Sequence, residues 1–239
     1  MPRFFVESVP GDTFLLAGED GRHLVKSLRM RPGEAVTLCD GQGSDYRCVI
    51  LETGEASATL QVVEREENRS EPDILVTLYQ GIPKSDKMDL IIQKAVELGC
   101  SRIVPTRTAF CVSDIRGKEE KKRERWQKIA LEAAKQSGRG IVPQVISPLS
   151  FREALAAAGG TKILCYEGGG APMGQLIGAG TEREFSLFIG PEGGLSREEL
   201  ALALESGAKA ATLGPRILRT ETAPLAALTL LFYLTGNMN

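Results

Sequence analysis

Residues 213–231, LGPRILRTETAPLAALTLL, lead from a glycine and a proline through charged and hydroxyl-bearing residues into an apolar run. The apolar run predicts a buried helix that begins near Thr222, because Pro224 is tolerated in a first turn whose N–H groups lack partners within the helix. A plain connector before such a helix needs only a turn residue and a cap. The two arginines, the glutamate and the threonines between the turn and the helix therefore indicate a functional segment.

The composition is that of an ordinary globular protein, with 42% hydrophobic and 25% charged residues in a chain of 239. That length accommodates one large domain, or one of ordinary size and a small one. No apolar run approaches the roughly 18 residues that a membrane span needs, and the N-terminus lacks the pattern of a signal peptide. Five cysteines without a C-x-x-C pair favour reduced thiols, so we expect a cytoplasmic protein without membrane association.

The chain has a single histidine, His23, which excludes zinc sites of the H-E-x-x-H type and most multi-histidine metal sites. No metal is therefore expected, and His23 is expected to be a local hydrogen-bonding residue. The net charge of −2 argues against indiscriminate coating of nucleic acid, although it allows a local basic patch. Any chemistry must rest largely on arginine, glutamate, threonine, lysine or backbone groups.

The residue pattern changes at a polar linker that contains a proline, residues 66–73. Before it, residues 1–70 place Val, Thr, Leu and Ile at near-alternating positions between glycine clusters, which predicts the short strands of a small β-barrel or meander. After it, residues 73–239 alternate strand-like and helix-like segments, which predicts a mostly parallel sheet covered on both faces. We therefore expect an α/β protein with two domains, 1–70 and 73–239.

Three predicted strands run into unusual segments at their carboxyl ends, where parallel sheets bind ligands. Strand 162–166 precedes three glycines, the strand in FIGPEGGLSREEL (188–200) precedes a glycine-rich turn, and the third segment is 213–222. In the second, Ser196 and Glu199 form a capping box, so a helix begins directly after Ser196. None of the three matches G-x-G-x-x-G or the phosphate loop. Each could be only a tight turn, but together their backbone groups suit an adenosine-type ligand without phosphates.

The motifs FIGPEGGLSREEL (188–200) and LGPRILRTETAPLAAL (213–228) resemble the 16S ribosomal RNA uridine N3-methyltransferases, which are S-adenosylmethionine enzymes of the SPOUT superfamily. Matching stretches at 23–34, 86–99 and 126–145 extend the resemblance over nearly the whole chain in the same order. The resemblance implies a small PUA-like β-barrel in the N-terminal domain. It also implies a SPOUT domain with a trefoil knot in the C-terminal one, and knots are rare exceptions to normal chain topology.

The resemblance also implies the partners: S-adenosylmethionine, 16S ribosomal RNA within the small ribosomal subunit, and a second copy of the chain. SPOUT enzymes pair through the knotted half, so a homodimer is expected. The apolar C-terminal helix offers a surface for it through Leu225, Leu228, Leu231 and Phe232. The same apolar stripe could instead belong to the core.

The three strand ends and the resemblance together imply where the cofactor binds. The expected contacts are Cys165, Tyr166, Glu167, Ile189, Gly190, Pro191, Glu192, Gly193, Leu213, Gly214, Ile217, Leu218 and Thr220. Ile217 and Leu218 would form the apolar wall beside the adenine, and Thr220 and Thr222 would supply hydrogen-bonding groups.

Arg219 and Glu221 are the expected catalytic residues. Methylation of uridine N3 requires loss of an imide proton, which spreads negative charge over the two flanking carbonyl oxygens. An arginine aimed at those oxygens favours the anion, and a carboxylate, or a water that it holds, can take the proton. Glu192 is a second carboxylate candidate, unless it only complements a helix dipole. The structural alternative is that Arg219 and Glu221 form an ion pair and that Thr222 is simply a cap.

Basic residues outside these segments could hold RNA by its phosphates. The expected contacts are Arg22, Lys26, Arg29, Arg31, Lys84, Arg107 and Arg139. A run of seven basic residues between Arg116 and Lys128 is either a solvated helix face or a further part of the RNA surface. Trp126 could stack on a base, but its place beside apolar helix residues favours the core.

Two other functions are compatible with the sequence. The chain could be a SPOUT methyltransferase that acts on another RNA or on a ribose 2′-hydroxyl, and only a mapped product would separate these. It could also be a non-catalytic RNA-binding module, which failure to bind S-adenosylmethionine would favour. The charged RTET segment, residues 219–222, argues against the module.

Overall fold

The computed structural model describes residues 1–113, 115–178 and 182–238. Within the chain, packing separates two compact units. Unit 1 comprises Met1–Glu71 and Ala134–Val142, and unit 2 comprises Pro72–Ala133 and Pro143–Asn239.

The sequence places the short segment 134–142 in the C-terminal domain, because the residue pattern changes at the linker 66–73. The structure groups it with unit 1. Asn68 Nδ2 donates to the carbonyl of Gly138 at 3.1 Å, and the thiol of Cys39 donates to the carbonyl of Gly140 at 3.3 Å. Such hydrogen bonds join residues far apart in sequence, so no local pattern predicts them.

Unit 1 is built on a five-stranded sheet with the order β1-β3-β4-β5-β2. Its elements are β1 (Arg3–Phe5), β2 (Thr13–Leu16), α1 (Gly18–Arg22), a π-helical turn (His23–Ser27), β3 (Ala35–Cys39), β4 (Ser44–Thr53) and β5 (Ala58–Glu67). The pair β1–β3 is parallel, and the other pairs are antiparallel. Phe4, Leu24, Val36, Leu38 and Leu60 are buried between them as an apolar core. The strand-rich N-terminal unit predicted from sequence is confirmed.

Unit 2 is an α/β unit with an eight-stranded sheet in which every described pairing is parallel. Along the sheet the strands follow the order β11-β13-β10-β12-β6-β7-β8, and β9 pairs with β7. The elements are β6 (Leu75–Gly81), α2 (Lys87–Glu97), β7 (Arg102–Arg107), α3 (Glu119–Ser137), β8 (Gln144–Val145), β9 (Leu149–Ser150), α4 (Phe151–Ala157), β10 (Thr161–Cys165), β11 (Ala171–Pro172), α5 (Met173–Leu176), β12 (Glu184–Ile189), α6 (Arg197–Glu205), β13 (Lys209–Thr212) and α7 (Ala223–Leu234). The last turn of α3 is counted with unit 1. The predicted parallel α/β architecture is confirmed.

The central strand β12 lies between β6 and β10, which precede it by many residues in the chain. Residues 185–189 of β12 are all buried, as expected for a strand covered on both faces. Phe188 stacks on Tyr79 of β6 with ring centroids 4.5 Å apart. In the sheet, β10 lies between β12 and β13 and runs parallel to both, so the carboxyl ends of these three strands lie next to one another.

Three local predictions are confirmed, for the start of α6, the start of α7 and the position of Trp126. Ser196 caps α6 in a reciprocal capping box with Glu199, and α7 begins at Ala223 with Pro224 in its first turn. Trp126 is only 2% exposed and belongs to the core. No helix in the described ranges is long and apolar enough to cross a membrane. The trefoil knot implied by the resemblance stays a prediction.

The apolar stripe on α7 differs from its prediction as a dimer surface. Leu228, Leu231 and Phe232 are fully buried within the chain itself. They face the core because α7 packs against α2 and against β12 of the sheet. The exposed apolar residues of α7 are instead Leu230 and Tyr233, together with Leu234.

Candidate functional site

A cavity of about 510 Å³ opens where β10, β12 and β13 end. Its volume lies in the range of roughly 300–1,000 Å³ that is typical of small-molecule sites. All of the predicted cofactor contacts line it: Cys165, Tyr166, Glu167, Ile189, Gly190, Pro191, Glu192, Gly193, Leu213, Gly214, Ile217, Leu218 and Thr220. Arg219 lines it as well. The three strand ends singled out by sequence therefore meet at one cavity.

Six further residues line the cavity and were not predicted: Lys87, Gly194, Thr212, Pro215, Arg216 and Ala223. Five of them are neighbours in sequence of residues that were predicted. Lys87 is different, because it is the first residue of α2 and comes from a distant part of the chain. Among the described residues, no cluster of three or more His, Cys, Asp or Glu side chains could hold a metal ion.

The turn after β12 has a conformation that requires glycine at Gly194. Its φ of +69° lies in the left-handed region that side chains rarely adopt. A Cβ there would meet Oε1 of Glu167, the end of a flexible side chain that can move aside, so the backbone conformation is what requires glycine. Gly194 and Glu167, which follow β12 and β10, both line the cavity.

The hydroxyl of Thr220 fixes the RTET segment to the end of β12. It donates to the carbonyl of Gly190 at 2.8 Å and accepts from Nε2 of Gln80 at 3.2 Å. Thr220 and Gln80 are both buried, and Gln80 Oε1 has no hydrogen-bond partner in the described part of the chain. Thr220 thus lines the cavity, but its hydroxyl is already engaged with the protein.

Lys87 connects two carboxylates beside the cavity. Its Nζ lies 3.1 Å from Oε1 of Glu192 and 3.0 Å from Oε2 of Glu221. No ion pair joins Arg219 to Glu221 within the described residues, and Arg219 is exposed at the cavity wall. Glu221 is therefore paired with Lys87, and Arg219 presents its charge to the cavity.

The pKa values follow from these contacts. Lys87 lowers the pKa of Glu221 below its ordinary value. Burial would raise the pKa of Glu192, but hydrogen bonds from its own N–H and from Lys87 outweigh burial and lower it. The two carboxylates, Glu221 first, raise the pKa of Lys87. Burial raises the pKa of the Cys165 thiol to about 12, so this thiol stays neutral. At neutral pH the site holds two carboxylates around one ammonium group.

The predicted RNA contacts fall into two groups and one exception. In unit 1, Arg22, Lys26, Arg29 and Arg31 are all exposed, and none has an ion-pair partner in the described ranges. In unit 2, Lys84 is exposed and Arg107 is half-buried near Glu119.

Arg139 is the exception. It is 3% exposed, and its guanidinium pairs with Glu71 through Nε at 3.1 Å and Nη2 at 2.5 Å. A buried, paired arginine cannot reach a phosphate in this conformation. We therefore remove Arg139 from the candidate RNA surface and assign it a structural role in unit 1.

Two family models match the chain. An RNA methyltransferase domain matches residues 70–232, and an RNA methyltransferase PUA domain matches residues 16–63. Curated proteins called ribosomal RNA small subunit methyltransferase E are similar over their full length. The protein from Bacillus subtilis is 36% identical, with 98% of this chain and 97% of the relative covered. The one from Mycobacterium bovis is 34% identical, with 98% and 92% covered.

Solved structures are similar over the same extent. Ribosomal RNA small subunit methyltransferase E from Neisseria gonorrhoeae, bound to S-adenosyl methionine, is 35% identical with a TM-score of 0.90, and 98% of each chain is covered. A methyltransferase from Legionella pneumophila with bound S-adenosylmethionine is 31% identical with a TM-score of 0.88, covering 97% of this chain and 96% of that one.

Proposed function

The chain belongs to the RNA methyltransferase family, and from this premise we propose that it transfers a methyl group from S-adenosylmethionine to N3 of a specific uridine in 16S ribosomal RNA. The observation that carries the proposal is the cavity at the ends of β10, β12 and β13, into which Arg219 presents an unpaired charge. The relatives' names give the substrate class, the ribosomal RNA of the small subunit. The choice of uridine N3 comes from the sequence resemblance.

The cavity suits S-adenosylmethionine in size and in chemistry. Backbone groups of the turn after β12 and of Gly214 can hydrogen-bond an adenosine moiety, and Leu218 and Ile217 supply apolar surface for an adenine ring. The carboxylates of Glu167 and Glu192 match the positive charges of the cofactor. When bound, the cofactor supplies an electrophilic methyl group on a cationic sulfur.

The protein's own task is to activate the uridine and to hold its N3 in line with the methyl group. Arg219 is exposed at the cavity and can face the two carbonyl oxygens that gain charge when N3 loses its proton. Glu221 and Glu192 are ionised, so either can accept a proton or orient a water that does. Their lowered pKa values make them weak bases. We therefore assign the larger share of activation to the cationic group, Arg219.

RNA binding is proposed to rest on the exposed basic residues of unit 1, with Lys84 and Arg107 of unit 2. Contacts to phosphates release counterions, so affinity should fall steeply with salt. If about six phosphates are neutralised, the log–log slope should be roughly −4 to −5. A nearly flat salt dependence would show that these side chains are only solvated surface.

We also propose a homodimer and a cytoplasmic location. The exposed apolar residues Leu230, Tyr233 and Leu234 on α7 offer a surface for a second copy. A monomer in light scattering at micromolar concentration would contradict it. The five free cysteines fit a reducing compartment.

The experiment that tests the proposed function is mass spectrometry of small-subunit ribosomal RNA from cells that lack this protein. One methylated uridine should lose its methyl group and regain it when the gene is restored. Restoration by an Arg219→Ala variant should fail. Loss of a methyl group from a ribose or from another RNA would overturn the proposed target, and unchanged RNA would overturn the enzyme assignment.

A further inference from the structure

A stacking surface for the target base is the part of the site that no residue described so far supplies. An enzyme that modifies a base must take it out of its stack, and proteins commonly receive such a base on an aromatic ring. Trp126 cannot do this because it is 2% exposed. Among the aromatic residues in the described ranges, Phe110 and Tyr233 are the strongly exposed ones, at 48% and 63%. Tyr233 lies on α7, whereas Phe110 follows a strand of the sheet.

Phe110 lies beside the cavity. It follows β7, which runs parallel to β6 and through it to β12, so their carboxyl ends lie at the same edge of the sheet. Gly193, which lines the cavity, is in direct contact with it. A Cβ on Gly193 would lie 2.7 Å from Cβ and 3.5 Å from Cγ of Phe110. The absence of a side chain at Gly193 is what lets the phenylalanine sit against the cavity wall.

The backbone around Phe110 is held in place. The N–H of Ala109 donates to Oε1 of Glu199 at 2.8 Å. The other oxygen of Glu199 accepts from the N–H of Ser196 at 2.9 Å, within the capping box of α6. On the other side, the N–H of Cys111 donates to the carbonyl of Thr108 at 3.1 Å. One carboxylate thus fixes both the Phe110 turn and the start of the helix that follows the cavity wall.

The surroundings of Phe110 match RNA. Arg107, three residues earlier, keeps 40% of its side chain exposed, and its nearest described acidic partner, Glu119, is 3.9 Å away. Lys84 is exposed, and its backbone N–H donates to Oε1 of Glu192, the residue before Gly193, at 3.2 Å. An exposed ring with cations nearby is the arrangement with which proteins hold single-stranded RNA: stacking for the base, charge for the phosphates.

We propose that Phe110 and Gly193 form a base-binding subsite in which the phenyl ring stacks on the uracil that is to be methylated. The inference rests on the proposed function and adds the residue that receives the base. Every base has a π-face, so stacking contributes affinity and position, and the identity of the base must be read elsewhere.

The test is steady-state methyl transfer to small ribosomal subunits that lack the modification, with Phe110→Leu, Phe110→Trp and Val112→Ala. Phe110→Leu should reduce kcat/KM for the subunit by roughly 5- to 150-fold, the usual worth of one stacked base. Phe110→Trp should keep most of it, because an indole also stacks. Val112 is 67% exposed in the same segment, and Val112→Ala should change nothing. S-adenosylmethionine affinity by calorimetry should be equal in all four proteins.

The outcomes separate this inference from the proposed function. If the wild-type protein methylates the subunit and Phe110→Leu does so equally well, the base-binding subsite is wrong while the function stands. If Phe110→Leu changes the oligomeric state in light scattering, the ring is an interface between copies and the inference is also overturned. An inactive wild-type protein would overturn the proposed function itself.

Discussion

Two clusters of charged residues differ in how far they are buried and paired within the protein. In unit 1, Arg3 Nη1 and Nη2 donate to the two oxygens of Asp45 at 2.5 and 2.7 Å, and Asn68 Nδ2 donates to Asp45 Oδ2 at 2.9 Å. The side chains of Arg3 and Asp45 are 14% and 7% exposed. In unit 2, Lys87, Glu192 and Glu221 keep 20–29% of their side chains exposed beside the cavity.

The difference shows where each cluster should act. The Arg3–Asp45 cluster is closed, since Asp45 already accepts three hydrogen bonds and little of it faces water. Removal of one member leaves a buried charge without a partner, which costs folding free energy. The cluster around Lys87 is open, and Arg219 beside it has no ion-pair partner in the described ranges. Removal of the Arg219 side chain should leave folding nearly intact and lower the rate of methyl transfer.

The largest expected effect is on folding, from Asp45→Ala. The substitution leaves the guanidinium of Arg3, whose side chain is only 14% exposed, without its carboxylate, so the free energy of unfolding should fall by about 3–5 kcal/mol. Urea unfolding measures it. The matched control is Glu64→Ala, which removes a partner of Arg47 in an exposed pair and should change stability little. Equal effects of the two substitutions would mean that the closed cluster is no more structural than a surface pair.

The next effect is on catalysis, from Arg219→Ala. Loss of one preorganised donor at a developing charge typically costs about 2.7–4 kcal/mol in the barrier, or roughly 100- to 1,000-fold in rate. Single-turnover methyl transfer should show this loss while calorimetry shows nearly unchanged cofactor affinity. Arg152→Ala, at an exposed arginine of α4, is the control. Wild-type turnover by Arg219→Ala would contradict the role assigned to the RTET segment.

The pH dependence sharpens this test. Higher pH should partly rescue Arg219→Ala, because more of the uridine is then already ionised. Arg219→Lys should rescue little, because an ammonium group cannot reproduce the planar fork of arginine. If Arg219→Ala instead abolishes cofactor binding, Arg219 belongs to the cofactor pocket. The charge-stabilising role would then pass to Arg216 or Lys87, since Arg139 is buried in its pair with Glu71.

A smaller effect is expected from Thr220→Val, which removes the attachment of the RTET segment. The carbonyl of Gly190 would lose the hydroxyl that donates to it, and Nε2 of Gln80 would keep only the carbonyl of Gly81, which costs about 1–3 kcal/mol of unfolding free energy. Cofactor affinity should fall because the cavity wall loosens. Thr220→Ser keeps the hydroxyl and should stay near wild type, and Thr222→Val is the control because the Thr222 side chain makes no capping bond. Equal stability of Thr220→Val and wild type would show that the attachment is dispensable.

The sequence predicts those parts of the molecule that leave a local pattern. The glycine-rich strand ends and the capping box at Ser196 are each formed by residues close together in sequence, so the cavity wall could be predicted. Lys87 could not, because it meets Glu192 and Glu221 only after the sheet has brought distant segments together. The burial of Arg139 was missed for the same reason: its partner, Glu71, is 68 residues away.

The smallest expected effect is a shift in titration, caused by Lys87→Met. In the folded protein Lys87 lowers the pKa of Glu221, so this carboxylate stays charged to a lower pH than in the unfolded chain. Its contribution to stability is therefore complete above the unfolded pKa and is lost as the pH falls through the lowered, folded pKa. Without the ammonium group, the pKa of Glu221 should rise towards its ordinary value and the loss should begin at higher pH. The pKa of Glu192 should rise too, since Lys87 is one of the groups that lower it.

Carboxyl-carbon NMR of a glutamate-labelled protein measures both shifts between about pH 3 and pH 6, the range in which glutamates titrate. Lys87→Arg is the control, because it keeps a cation between the two carboxylates and should keep both pKa values low. The shift should be modest, because water screens partly exposed pairs. Unchanged titration of Glu221 in Lys87→Met would mean that the open cluster is not held by Lys87. The contrast with the closed Arg3–Asp45 cluster would then rest on Arg219 alone.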